Sequence, residues 1–164
     1  MEDKFKLINF TELTLNEKEM ILGWRNHPEI KKWMYTTKNI QLSDHLSFIE
    51  KLKTCNDKIY FLVKHGKEYL GVIDFYNLKD TNEIIEFGLY SNPNAKIPGV
   101  GRILEKLSIE YAFDVLKAKV LKLEVFSENM QVRNLHKKFH FKEVNKKIIN
   151  NKEVICMELK NENR

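Results

Sequence analysis

The sequence predicts one mixed α/β domain whose sheet is mostly antiparallel and flanked by helices. Three observations carry this. The first third places its apolar residues at helical spacing; the middle holds three short strand-like runs separated by turns; the second half runs strand, helix, strand and then closes in a hairpin. At 164 residues and 43% hydrophobic, the chain suits a single core and leaves little room for a second. The domain is expected over 1–160, with the end of "KNENR", residues 161–164, as a solvated tail.

Each element has a local reason. "KFKLINF" is the first strand candidate. A helix starts near Thr14 to Asn16, carries Met20, Ile21 and Trp24 on one stripe, and ends at "RNHP", because His27 precedes a proline and is pushed from helical geometry. A second helix is expected from Pro28 to Met34, and a third capped by Ser43 with Leu46, Ile49 and Leu52 at helical spacing. "KIYFLVK", the turn "HGKE", "YLGVIDFY", the polar loop "NLKDTN" and "EIIEFGLY" then read as a three-stranded antiparallel meander.

A helix follows over "GRILEKLSIEYAFDVLK", with Leu104, Leu107, Tyr111 and Val115 expected on its apolar face. In "KVLKLEVF", Leu121, Leu123 and Val125 alternate with Lys122, Glu124 and Phe126. The strand before this helix and the strand after it form a β-α-β crossover, which is right-handed by rule. A short helix "MQVRNLHKKF" precedes "FKEVNKKII", an Asn150-Asn151 turn and "KEVICMEL", which read as a hairpin.

Composition excludes several classes of function. The net charge of +5 suits an anionic partner, yet the 28 basic residues are scattered among 23 acidic ones with no long basic block, so nucleic acid is not expected. Cys55 and Cys156 lie far apart with no ligand spacing nearby, which points to free thiols in a reducing cytosol and to no metal. The opening "MEDKFKLINF" lacks an apolar export segment, and the longest purely apolar run is "IYFLV". A cytoplasmic protein without a membrane anchor is expected.

The stretch "NPNAKIPGVGRIL" holds two of six glycines and two of three prolines at a strand-to-helix junction. Glycines there let backbone N–H groups face an anion at the positive end of a helix. A Walker A loop fails because Arg102-Ile103 follows Gly101, and a dinucleotide fingerprint fails because its third glycine falls on Leu104. A plain tight turn remains the alternative.

Lys96-Ile97-Pro98-Gly99-Val100-Gly101 resembles the Q/R-x-x-G-x-G/A pyrophosphate loop of the GNAT superfamily of N-acetyltransferases. About thirty residues on, Asn129, Val132, Leu135, His136, Lys138, His140 and Phe141 resemble the superfamily's N-x-x-A-x-x-L-Y-x-K-x-G-F motif. "WRNHPEIKKWM", "HLSFIEKL" and "YFLV...YLGVIDF...EFGLYSNP" are similar to one bacterial branch, which acetylates the 4-amino group of a UDP-linked 4-amino-4,6-dideoxy sugar in pseudaminic acid biosynthesis for flagellin glycosylation.

The resemblance implies the acyl-CoA N-acyltransferase fold, with two splayed central strands and acetyl-CoA as co-substrate. It implies that the pantetheine arm bonds backbone near Leu89 and Tyr90, and that pyrophosphate rests on the amides of Ile97, Pro98's neighbours, Gly99, Val100, Gly101 and Arg102, with Lys96 in the place of the usual Gln/Arg; Asn129 and Lys138 complete the cofactor side. Glu124 matches the candidate base, and His136 stands where the family has a tyrosine acid; no tyrosine follows Tyr111. Arg25 and His45 match positions holding the nucleotide phosphates, while Met34 and Tyr90 match packing positions for uracil or sugar. Each has a bland counterpart: a surface glutamate, a helix-end arginine, a first-turn histidine, core methionine and tyrosine.

The expected reaction is direct transfer in a ternary complex with a UDP-amino-sugar, and a homodimer is compatible with it. The competing readings are a peptide N-terminal or other amine acetyltransferase of the same fold, and a non-catalytic acyl-CoA or nucleotide-binding module.

Overall fold

The computed structural model describes residues 5–78, 81 and 83–164. Lys4 of the first strand candidate and most of the "KDTN" part of the expected polar loop lie outside the described residues. Seven strands form one sheet in the order β1-β2-β3-β4-β5-β7-β6. They are β1 (Phe5–Asn9), β2 (Lys58–His65), β3 (Glu68–Tyr76), β4 (Ile84–Ser91), β5 (Val120–Phe126), β6 (Lys142–Ile149) and β7 (Lys152–Lys160). Among the described residues the α-helices are α1 (Leu15–Asn26), α2 (Pro28–Lys31), α3 (Leu42–Leu52), α4 (Val100–Glu110) and α5 (Met130–Lys138).

Local chemistry sets the ends of these elements. Thr14 caps α1 in a full capping box with Glu17. The ring of His27 then accepts from the Glu29 N–H and caps α2, so this histidine is structural. Asn150 and Asn151 both take positive φ and close the last hairpin, as their type allows.

Three expectations need correction. The second helix stops at Lys31 instead of Met34, and residues up to Gln41 are irregular, pinned at their base by two bonds between the Asn26 amide and the Ile40 backbone, 2.9 and 2.7 Å. Ser43 lies inside α3, whose N-cap is Gln41 without a side-chain bond. Val115 is exposed, because α4 widens at Tyr111–Val115 into a π-type turn that takes up an extra residue and rotates the stripe onto Ala112 and Phe113.

Alternation along the strands sorts side chains into two layers. Phe61, Val63, Ile73, Phe75 and Phe87 join Leu104, Ile109 and Phe113 beneath α4, whereas Leu62 and Val72 join Ile21, Trp24, Ile49 and Leu52 beneath α1 and α3. Fully burying one such side chain stabilises the fold by about 1.5–3 kcal/mol, so both layers are held firmly against the sheet. All pairings are antiparallel except β4 with β5, which are parallel and in register only at Ile84↔Val120, Ile85↔Leu121 and Glu86↔Lys122. Beyond Glu86 the two strands part. Residues 161–164 make an exposed 3-10 turn tied back by Arg164 to Asp114 at 2.5 Å. Among the described residues no helix is long and apolar enough to cross a membrane.

Candidate active site

The parting of β4 and β5 opens a cavity of about 1250 Å³. Phe87 to Ser91 of β4 line it on one side and Leu123 to Phe126 of β5 on the other. Past Glu86, β4 keeps only β3 as a partner, so its other edge offers backbone donors and acceptors to a ligand lying along it.

One end of the cavity reaches the start of α4. Gly99 caps this helix at φ +75°, a left-handed geometry that glycine adopts without strain, and no side chain takes the first-turn amides. Gly99, Gly101 and Arg102 line the cavity. Lys96 and Pro98 are exposed and Ile97 packs on the main core; with Val100, which is buried in that core, they shape the loop and do not line the cavity. Asn129, buried at the cap of α5 with no capping bond, and the exposed Lys138 line the same end. Leu89 packs with the α4 layer while the Tyr90 side chain points to the α1 and α3 layer, so adjacent residues serve opposite faces.

The other end is built from side chains. Arg25 lines it with Nη1 buried and without a partner among the described residues, and burial lowers its pKa. His45 is buried; its Nε2 lies 2.8 Å from the Lys18 carbonyl oxygen, so Nε2–H donates there, and burial pulls its pKa down. The neutral ring therefore turns an acceptor, Nδ1, to any further partner, and a bond from His45 to a phosphate requires a second proton. Met34, half-buried, lines this end beside Trp33 and Tyr35.

Glu124 faces the slot from β5, and both its oxygens are engaged. Tyr35 donates its hydroxyl to Oε1 at 2.6 Å, and Lys147 of β6 pairs with Oε2. Burial and then this carboxylate push the Tyr35 phenol far up, while the bond to Glu124 raises Lys147. Cys156 sits opposite Glu124 across β5 and β7, its thiol pushed up chiefly by burial, so it stays protonated and is a poor nucleophile.

His136, 5% exposed, sets its Nδ1 2.6 Å from Oε1 of Glu105, which is wholly buried on α4. Oε2 of Glu105 has no partner. Phe87 and Phe141 pack edgewise on the imidazole. One proton lies between Nδ1 and Oε1: with Nδ1–H donating to the carboxylate, Nε2 is an acceptor in the neutral ring and a donor in the imidazolium.

The sequence reading missed Tyr35, Asp74, Glu105 and Lys147. Glu105 carried a signal: one turn along from Gly101, it adjoins Leu104 and interrupts the apolar side of α4. Tyr35 and Lys147 carried none, because they lie 89 and 23 residues from Glu124 and only the fold brings them to it.

A helix start that offers free amides to an anion, beside a parallel strand pair that splays, defines an acyl-CoA-dependent acyltransferase. The chain belongs to the acetyltransferase (GNAT) domain family, which it matches over residues 8–142. It is 47% identical over 136 residues to the acetyltransferase PseH of Campylobacter jejuni subsp. jejuni serotype O:23/36 (strain 81-176), covering 83% of each chain. The crystal structure of Campylobacter jejuni N-acetyltransferase PseH in complex with acetyl coenzyme A matches 96% of this chain and 99% of that one, with TM-score 0.78 and 37% identity. A spermidine N-acetyltransferase from Vibrio cholerae in complex with CoA and spermine reaches TM-score 0.87 at 18% identity over 99% and 98% of the two chains; it shares the fold.

Proposed function

We propose that this chain transfers the acetyl group of acetyl-CoA to the 4-amino group of a UDP-linked 4-amino-4,6-dideoxy sugar, by direct attack in a ternary complex, as one step of pseudaminic acid biosynthesis in the cytoplasm. The carrying observation is the two-ended cavity: uncapped amides of α4 at one end and, at the other, a half-buried Arg25 whose buried Nη1 has no partner among the described residues. Two anionic groups fit it from opposite directions, one on each co-substrate. The likeness to PseH supports the choice of acceptor.

On the cofactor side, the edge of β4 from Phe87 to Ser91 and the amides after Gly99 hold acetyl-CoA, with Arg102, Asn129 and Lys138 around the phosphates. Bound there, acetyl-CoA supplies the activated thioester carbonyl. On the acceptor side, Arg25 grips the diphosphate, and Met34 and Tyr90 pack against uracil or sugar. Glu124, held by Tyr35 and Lys147, faces the slot as a base, directly or through a water, for the proton that nitrogen sheds once the C–N bond has formed. His136 stands at the thiolate end; paired through Nδ1–H with the Glu105 carboxylate, it hydrogen-bonds the sulfur through Nε2 when that nitrogen carries a proton.

Mass spectrometry of the products of acetyl-CoA with a panel of UDP-4-amino sugars and peptides tests this. An acetylated sugar with free CoA is expected. An acetylated peptide beside untouched sugars overturns the acceptor, and acetyl-CoA binding without turnover on any amine returns the chain to a binding module.

A further inference from the structure

We propose that Asp74 is a catalytic residue for the acceptor: its carboxylate receives the ammonium of the amino-sugar above Gly88 and takes a proton from it. This rests on the acceptor reading above and assigns the amine subsite within it.

Asp74 lies in the middle of β3, between Tyr60 of β2 and Gly88 of β4. It lines the cavity at 8% exposure, burial pushes its carboxyl up, and among the described residues no hydrogen bond or ion pair offsets this. Leaving a carboxylate buried without a partner opposes folding, and such groups concentrate where a ligand completes them.

Its position singles out the ligand. A Cβ at Gly88 would stand 3.1 Å from Oδ1 and 3.4 Å from Oδ2 of Asp74, so the carboxylate rests directly on the β4 backbone. Gly88 lies two residues beyond Glu86, the last β4 position in register with β5, which puts Asp74 where the slot begins to open. The carboxylate across the slot, Glu124, already has both oxygens engaged. Arg25 lies in the same cavity without a partner, and no ion pair joins it to Asp74. One unmatched cation and one unmatched anion, held apart, complement an acceptor with a diphosphate at one end and an ammonium at the other.

The groups facing Asp74 favour this use. Tyr60 on β2, Tyr76 on β3 and Tyr90 on β4 have phenols pushed up first by burial, with the charge of Asp74 adding to it, so they stay neutral donors. Arg25 on α1 acts on Tyr60 and Tyr90, and His45 on α3 is held neutral by burial. Glu86, opposite Tyr76 in register, and Glu124 also raise the Tyr76 phenol. Asp74 itself is pushed up to about 7, close enough to an amine for proton transfer in either direction. In the step, one N–H bond of the ammonium breaks, its electron pair stays on nitrogen as the nucleophile, and the proton forms O–H on Asp74. Water in the open cavity then carries the proton away.

The test compares purified wild type with Asp74→Asn and Asp74→Ala, following CoA release with a UDP-4-amino sugar and acetyl-CoA binding by calorimetry. Asp74→Asn is expected to lower kcat/KM for the amine by about 100-fold or more with acetyl-CoA affinity unchanged. The wild-type profile of kcat/KM should fall as pH drops through about 7, and that limb should vanish in the variant. Should Asp74→Asn fold poorly, Asp74→Ala, which removes the charge altogether, gives the same comparison. A variant that keeps kcat/KM within about threefold and retains the limb overturns the proposal, as does a parallel loss of acetyl-CoA affinity. If wild type spares sugars and acetylates another amine, the acceptor reading fails, while the same comparison on that amine still decides Asp74.

Discussion

The two ends of the cavity are made of different materials. At the α4 end the cavity presents backbone: the unpaired edge of β4 and the amides after Gly99. At the far end it presents side chains from five separate stretches, namely Arg25, Tyr35, His45, Asp74 and Glu124, the last steadied by Lys147. A backbone site depends on loop geometry and tolerates many side chains; a side-chain site changes with each residue. The first suits a co-substrate common to a superfamily, and the second suits an acceptor that differs between members.

Predictions follow this contrast, the largest first. His136→Ala leaves both oxygens of Glu105 buried and unpartnered, and should cost about 3–5 kcal/mol in denaturant unfolding. Adding Glu105→Ala should recover most of that loss; if it recovers none, the pair is not what holds the two helices in place.

Asp74 gives a stability effect of opposite sign. Its folded pKa of about 7 lies above the ordinary 3.8, so the native state favours the protonated form. This contribution is complete below about 4 and is lost as pH rises to about 7. The melting temperature of Asp74→Asn relative to wild type should therefore climb between those limits and level off above them. A difference that is flat with pH would mean that the carboxylate is already compensated.

Arg25→Gln should raise KM for the UDP-sugar by about 10- to 100-fold, the worth of a charge-assisted bond at about 1.5–3 kcal/mol, and leave KM for acetyl-CoA alone. Gly99→Ala should do the reverse: a side chain in left-handed geometry costs about 1–2 kcal/mol, and the disturbed amides weaken acetyl-CoA. Cross-effects in these two variants would break the division between the ends. Tyr35→Phe should be mildest, losing one hydrogen bond to Glu124 worth about 1 kcal/mol and slowing kcat less than tenfold.

How much was legible follows the same division. The order of strands and helices, the hairpin turn and the glycine loop could all be read, since each depends on residues close in sequence. The misread details were places where a neighbour overrode a local rule: Ser43 looked like a cap but Gln41 precedes it, and Val115 kept helical spacing until the π-type turn broke the phase. Glu124 and His136 were singled out through motif position, yet the side chains that contact them, Tyr35, Lys147 and Glu105, were not.

By itself the sequence determined the alternation of the strands, the capping box at Thr14, the glycine geometry at the start of α4 and the motifs that mark the family, because propensity, turn chemistry and short spacing are local properties. Only the tertiary structure decided that β4 and β5 separate after three paired residues, that Glu124 is occupied while Asp74 is not, and that Glu105 stands behind His136. Those outcomes depend on which distant side chains share a buried space, where a missing partner costs more than a present one contributes.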